Sequence, residues 1–155
     1  MFGGVFEVSK LSEFSFKWCD AWFSKGWGYD TILTTGKKGT WIDVLVDGIP
    51  ERINITDRED EFIDDLMSCK IFQWNKKHYV NLNVMDGYMW LLTTTFDSNH
   101  IETGGCNGYP PQFEQFISIL HNKWGLSKAK IDSQRGFSIA KESKDTEVRE
   151  YDEWF

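Results

Sequence analysis

Apolar positions fall with a period of two in several short segments of this chain, and with a helical period in two others. Phe14, Phe16 and Trp18 alternate with Ser15 and Lys17, the spacing of a half-buried strand. Before them, residues 1–8 predict a short edge strand weakened by Gly3-Gly4; after them, the aromatic run 22–28 is broken by Gly26 and Gly28 and reads as a loop or bulge. Residues 29–35 and 41–46 are β-rich and flank the hairpin loop Gly36-Lys37-Lys38-Gly39. Asp47-Gly48 supplies the tight turn preferred between antiparallel strands, and residues 52–55 complete a meander.

The first helical segment opens at Thr56-Asp57-Arg58-Glu59, which fits a capping box. Phe62, Ile63, Leu66 and Met67 then share one stripe. The other faces carry Asp57, Glu59, Asp60, Glu61, Asp64 and Asp65. First-turn acids complement the helix dipole, but Asp64 and Asp65 lie beyond the reach of that argument.

Residues 71–79 are mixed, with Trp74 and Tyr79 expected to close over the core, and 80–84 alternate weakly. Asp86-Gly87 predicts a turn into 88–96, the strongest strand in the chain, and Asp97-Ser98-Asn99 turns it back into 100–103. Gly104-Gly105 is expected to end that strand. Asn107 suits a left-handed corner, and Pro110-Pro111 places proline where a helix begins. Phe113, Phe116, Ile117, Leu120 and Trp124 then fall at helical spacing, with Gly125 as the stop.

From residue 126 apolar content drops and charges of both signs intersperse. A short strand is expected at 137–140, and 144–155 reads as a charged helix or a loose tail, whose aromatic end is expected to fold back onto the domain rather than bind a partner. The pattern predicts an α+β fold: a single domain over 1–125 with a mostly antiparallel sheet and two packed helices, and a charged extension over 126–155 packed on it.

Composition adds three things. Aromatic residues make up 16 % of the chain, with twelve Phe and eight Trp, which builds a core from large pieces or a recognition surface. Seventeen basic residues against 24 acidic give a net charge of −7, without the basic patch that direct nucleic-acid binding needs. Cys19, Cys69 and Cys106 are odd in number and unpaired in spacing, so they read as reduced thiols, and no apolar run or signal pattern points to a membrane or to secretion. A soluble, cytoplasmic protein is expected.

The block from residue 74 to residue 124 resembles a family of small bacterial and phage proteins whose C-terminal halves read W-x-x-x-Y, D-G-x-x-W-x-L and G-x-N-x-Y-P before a terminal helix. Trp74 and Tyr79 stand for the first pair with one extra residue between them; Asp86, Gly87, Trp90 and Leu92 match the second motif; Gly105, Asn107, Tyr109 and Pro110 match the third. The resemblance covers about residues 29–125. It implies a compact α+β domain in which these residues are structural, and no activity is carried over from it.

No catalytic residue is assigned. Cys106 lies near His100 and Glu102 in sequence, but those two share a strand face while the thiol lies past a double glycine. No metal-ligand spacing, acidic calcium loop or phosphate-binding glycine loop occurs, so no metal and no cofactor are expected. The leading expectation is a non-enzymatic acidic inhibitor, anti-CRISPR-like or immunity-like, that masks a basic surface on a partner protein. Asp57, Glu59, Asp60, Glu61, Asp64 and Asp65 would dock, together with Asp145, Glu147, Glu150, Asp152 and Glu153 of the tail, anchored by Trp154 and Phe155. The alternatives are a small hydrolase or ligand-binding protein with a pocket near the aromatic loop 18–27, and a structural or oligomeric subunit that uses that loop as an interface.

Overall fold

Strict alternation makes β1 (Leu11–Asp20) and β6 (Tyr88–Phe96) the centre of the sheet. Their antiparallel register sets Phe14 against Thr94, Phe16 against Leu92 and Trp18 against Trp90, so these aromatic rings and Leu92 share one face, while Met89 and Leu91 fall on the other. The computed structural model describes residues 10–20, 29–46, 49–81, 88–125 and 146–150. To one side of β1 lies the expected meander: β2 (Tyr29–Gly36), β3 (Gly39–Val46) and β4 (Ile49–Asn54). Beyond β6 come β7 (Asn99–Cys106), β5 (Lys77–Val80) and β8 (Glu147–Glu150). The eight strands form one sheet in the order β4-β3-β2-β1-β6-β7-β5-β8, antiparallel throughout except for β5 against β7. The fold is α+β.

The apolar face is covered by α1 (Glu59–Ser68), a 3-10 turn at Ile71–Trp74, and α2 (Phe113–Ser118), which runs on as a π-helical turn at Ile119–Lys123. Phe62 of α1 stands edge-on to Phe14 at 5.1 Å, and Phe116 of α2 to Phe16 at 5.2 Å. Phe113 sits among Trp18, Trp74, Trp90 and Tyr109, closest to the last two at 4.8 Å. Each such ring contributes about 2–3 kcal/mol by leaving water. The opposite face of the sheet carries Glu13, Ser15, Thr93, Thr95, His100 and Glu102.

Chain direction is set at the corner between β7 and α2. The Trp90 indole N–H donates to the Gly108 carbonyl at 2.9 Å, and Asn107 takes the expected left-handed conformation at φ 62°. Tyr109 then stacks on Trp90 and on Trp18, at 6.5 and 5.9 Å. A Cβ on Gly105 would fall on the Gly108 carbonyl and on Trp90 Nε1, and one on Gly108 would meet the Tyr79 and Val80 backbone at 2.7 Å. Trp74 and Tyr79 are buried over the same core.

Several local expectations are overturned by tertiary contacts. The capping box does not form, because the Thr56 hydroxyl takes the Thr40 N–H at 2.9 Å and Glu59 takes the Leu11 N–H at 3.1 Å. Arg58 is the N-cap instead, without a side-chain cap. Met67 leaves the apolar stripe and is 37 % exposed, its place taken by Cys69. Gly104-Gly105 does not end β7; the strand runs on to Cys106, with Gly105 giving the clearance that Trp90 needs. Pro110-Pro111 forms a turn rather than the helix start, and a left-handed Gln112 (φ 66°) swings Phe113 into the aromatic cluster before α2 begins. Residues 147–150 form neither helix nor loose tail: they pair with the outer edge of β5, which supplies main-chain partners for a strand. The expected strands at 1–8 and 137–140, the aromatic run 22–28, and the Asp47-Gly48 and Asp86-Gly87 turns lie outside the described residues.

Gly105→Ala is expected to cost about 2–3 kcal/mol of unfolding free energy in chemical denaturation, as overpacking against fixed backbone does. Gly36→Ala is the control, since its Cβ meets only Trp41 at an ordinary 3.8 Å. Equal stability of the two variants would contradict the close-approach account.

Candidate functional site

The six acids in and before α1 divide into two groups once α2 packs beside it. The π-helical turn widens the backbone so that Trp124 N–H bonds the Ile119 carbonyl at 3.3 Å, and this aims Lys123 and Trp124 at α1. Lys123 Nζ lies 3.0 Å from Glu61 and 2.9 Å from Asp65, and the Trp124 indole N–H donates to Asp65 at 2.7 Å. Arg58 bonds Glu61 at 3.1 Å and lays its guanidinium 4.3 Å above the Trp124 ring. Arg58 first, and Lys123 second, push the Glu61 carboxyl down to about 2; both cations are held above their usual range in return. Glu59, Glu61 and Asp65 are therefore engaged within the chain.

Asp57, Asp60 and Asp64 are exposed, and among the described residues no cation lies within ion-pair distance of them. Asp60 and Asp64 are one helical turn apart, and Met67 continues their stripe. In the tail, Glu147 bonds Arg149 at 3.2 Å and Glu150 is exposed at the end of β8, opposite Lys77. Asp145, Asp152, Glu153, Trp154 and Phe155 lie outside the described residues. Trp18 is buried, and the aromatic loop beyond it is also outside them.

A second polar cluster, unforeseen in the sequence, crosses the open sheet face. The two-residue turn at Asp97-Ser98 sets Thr95 opposite His100, and β1 brings Glu13 opposite Thr95. Thr95 Oγ1 lies 2.6 Å from His100 Nδ1 and donates to Glu13 at 2.9 Å; His100 Nε2 lies 2.9 Å from Glu102, which also pairs with Lys76 at 2.9 Å. The Glu102 carboxyl is held below the ordinary carboxylate range, by His100 first and Lys76 second.

This row resembles a hydroxyl–imidazole–carboxylate relay but is poorly placed for catalysis. Thr95 is β-branched in mid-strand, its hydroxyl is already committed to Glu13, and β6 is laddered on both sides, so its flanking N–H groups are spent in the sheet. Cys106 shares the face but lies four residues beyond Glu102, about 13 Å along a strand, and burial pushes its thiol up. Among the described residues no group of His, Cys, Asp and Glu is placed to hold a metal ion, and no helix is long and apolar enough to cross a membrane. The motif residues Trp90, Gly105, Asn107, Tyr109 and Pro110 meet at the corner and are occupied by packing there.

Glu61→Gln is expected to lower Tm at neutral pH. A depressed carboxyl contributes stability above its unfolded value of 4.5, and that contribution is lost as pH falls through about 2. The Tm gap between variant and wild type therefore closes between those pH values; a gap independent of pH would contradict the ion-pair assignment. Set against protein-family models, curated proteins and solved structures, the chain finds no match, so a functional reading rests on this geometry.

Proposed function

We propose that this chain is a non-enzymatic protein-binding inhibitor whose Asp57, Asp60 and Asp64 stripe masks a basic surface on a partner protein. The observation that carries the reading is the division of the acids. Where the fold needs charge neutralised, Arg58 and Lys123 supply it, while among the described residues no cation lies within ion-pair distance of the exposed Asp57, Asp60 and Asp64. Such a stripe speeds encounter with a basic surface and disfavours acidic competitors. Met67, exposed at its end, adds an apolar contact of the kind that slows dissociation. A net charge of −7 sets the reading against direct nucleic-acid binding.

Partners of matching chemistry are the nucleic-acid-handling proteins of a bacterial defence complex and basic toxins, in the cytoplasm of a bacterial or phage setting like that of the family the motifs resemble. The reading leaves Glu147 and Glu150 out of the docking surface, which makes them a matched control.

The test is capture of partners from bacterial lysate by the full chain, followed by association kinetics with the protein retained. Asp60→Lys with Asp64→Lys is expected to lower the on-rate at low salt at least ~10-fold, while Glu147→Lys with Glu150→Lys, the same change in net charge, leaves it near wild type. Equal loss in both variants assigns the effect to overall charge, and loss only in the second moves the docking surface to β8; either result overturns the proposal.

A further inference from the structure

The row Glu13–Thr95–His100–Glu102 contains three hydrogen-bonding gaps, at 2.9, 2.6 and 2.9 Å. Each needs one proton. With both carboxylates ionised, the protons on hand are the single one of the Thr95 hydroxyl and those of the imidazole, one when neutral and two when charged. A neutral His100 fills only two gaps. If it carries its proton on Nε2 toward Glu102, Nδ1 must accept from Thr95, and Glu13 loses its donor. A charged His100 fills all three: Nε2–H to Glu102, Nδ1–H to Thr95, and Thr95 O–H to Glu13. The charged ring also gains an ion pair with Glu13, whose Oε1 lies 3.5 Å from Nδ1.

Among the described residues, β1 from Leu11 to Phe16 has its register partners on β6 alone. Among the described residues its register pairs with β2 are Lys17↔Asp30 and Trp18↔Tyr29, and beyond them the Thr31 hydroxyl takes the place of a ladder bond, accepting the Phe16 N–H at 2.8 Å. The register is also shifted between Leu11 and Glu13. The half of β1 that carries Glu13 thus ladders to β6 across an irregular stretch, beside the Glu59 bond to the Leu11 N–H and the packing of Phe14 on Phe62, and a side-chain tie there adds to these constraints.

We propose that protonation of His100 closes a clasp across β1, β6 and β7, holding the N-terminal half of β1 more tightly when the imidazole is charged than when it is neutral. The charged groups facing the ring are Glu13 from β1, Glu102 from β7 and, through Glu102, Lys76 from the approach to β5; β6 contributes only the Thr95 hydroxyl. Glu102 is held below the ordinary carboxylate range by its bonds to His100 first and Lys76 second. The clasp is a proton-responsive device in the sheet and is independent of the acidic stripe on α1.

The test is amide hydrogen exchange by NMR on the full chain across the pH interval in which His100 titrates, that interval being read from its own ring resonances. Protection factors for residues 11–16 are expected to rise about threefold as the ring becomes charged, the scale of one exposed, charge-assisted tie, while the β3–β4 ladder does not change. Thr95→Val keeps the branched shape and removes the relay; Glu13→Ala removes the far acceptor. The rise is expected to shrink in Thr95→Val, where the direct 3.5 Å pair of His100 with Glu13 remains, and to vanish in Glu13→Ala. A wild type without the rise, a rise undiminished in Thr95→Val, or a rise that survives in Glu13→Ala overturns the proposal.

Discussion

The Trp90 indole N–H bond to the Gly108 carbonyl is the constraint on which the rest of the structure depends. Trp90 is fully buried at the centre of the sheet, and a buried donor left without an acceptor costs about 1–3 kcal/mol. Satisfying it requires a backbone carbonyl to come down onto the ring, which only glycines at 105 and 108 permit. Once the corner is pinned there, Tyr109 has to stack between Trp90 and Trp18, and Phe113 has to enter beside them. The direction of α2 follows, then the turn that delivers Lys123 and Trp124 to α1.

This chain of consequences explains why chemistry is so sparse at the most distinctive part of the molecule. The aromatic share that looks like a recognition surface in composition is, for the described rings, largely core: Phe14, Phe16, Trp18, Trp74, Trp90, Phe113, Phe116 and Trp124 are all buried. The polar groups with freedom to act lie at the periphery, on the outward stripe of α1 and on the open sheet face. Arg58 and Lys123 belong to the scaffold, since they neutralise Glu61 and Asp65 where the π-helical turn meets α1.

Much of the fold was legible in the sequence where local and tertiary preferences agree. The meander at β2–β4, the strand from Tyr88, the left-handed Asn107 and the Gly125 stop follow from alternation and turn chemistry. The misreadings share one cause. Thr56 and Glu59 carry a local capping signal, but Thr40 and Leu11, distant in sequence, offer bonds that win. Gly104-Gly105 reads as a strand breaker locally, yet the strand runs through it and Gly105 serves as clearance for the Trp90 indole, distant in sequence. Part of the sheet-face relay was within reach, since His100 and Glu102 share a face by parity; Thr95 opposite His100 was not, because the turn is Asp97-Ser98 and Asn99 already pairs with Phe96 rather than belonging to the turn. Glu13 was not, because nothing local states that β1 pairs with β6. The inward commitment of Glu61 and Asp65 was likewise hidden, since it depends on a π-helical turn that a helical apolar period does not distinguish from an α-helix.

Hydrogen exchange of the Trp90 indole proton, followed by NMR alongside the core amides of β6, tests the central constraint most directly. If the bond to Gly108 anchors the fold, this proton exchanges only through global unfolding and reports the same opening free energy as the slowest β6 amides. Exchange through a local opening, markedly faster than those amides, would show that the corner breathes independently and that the sheet and helices are held by something else.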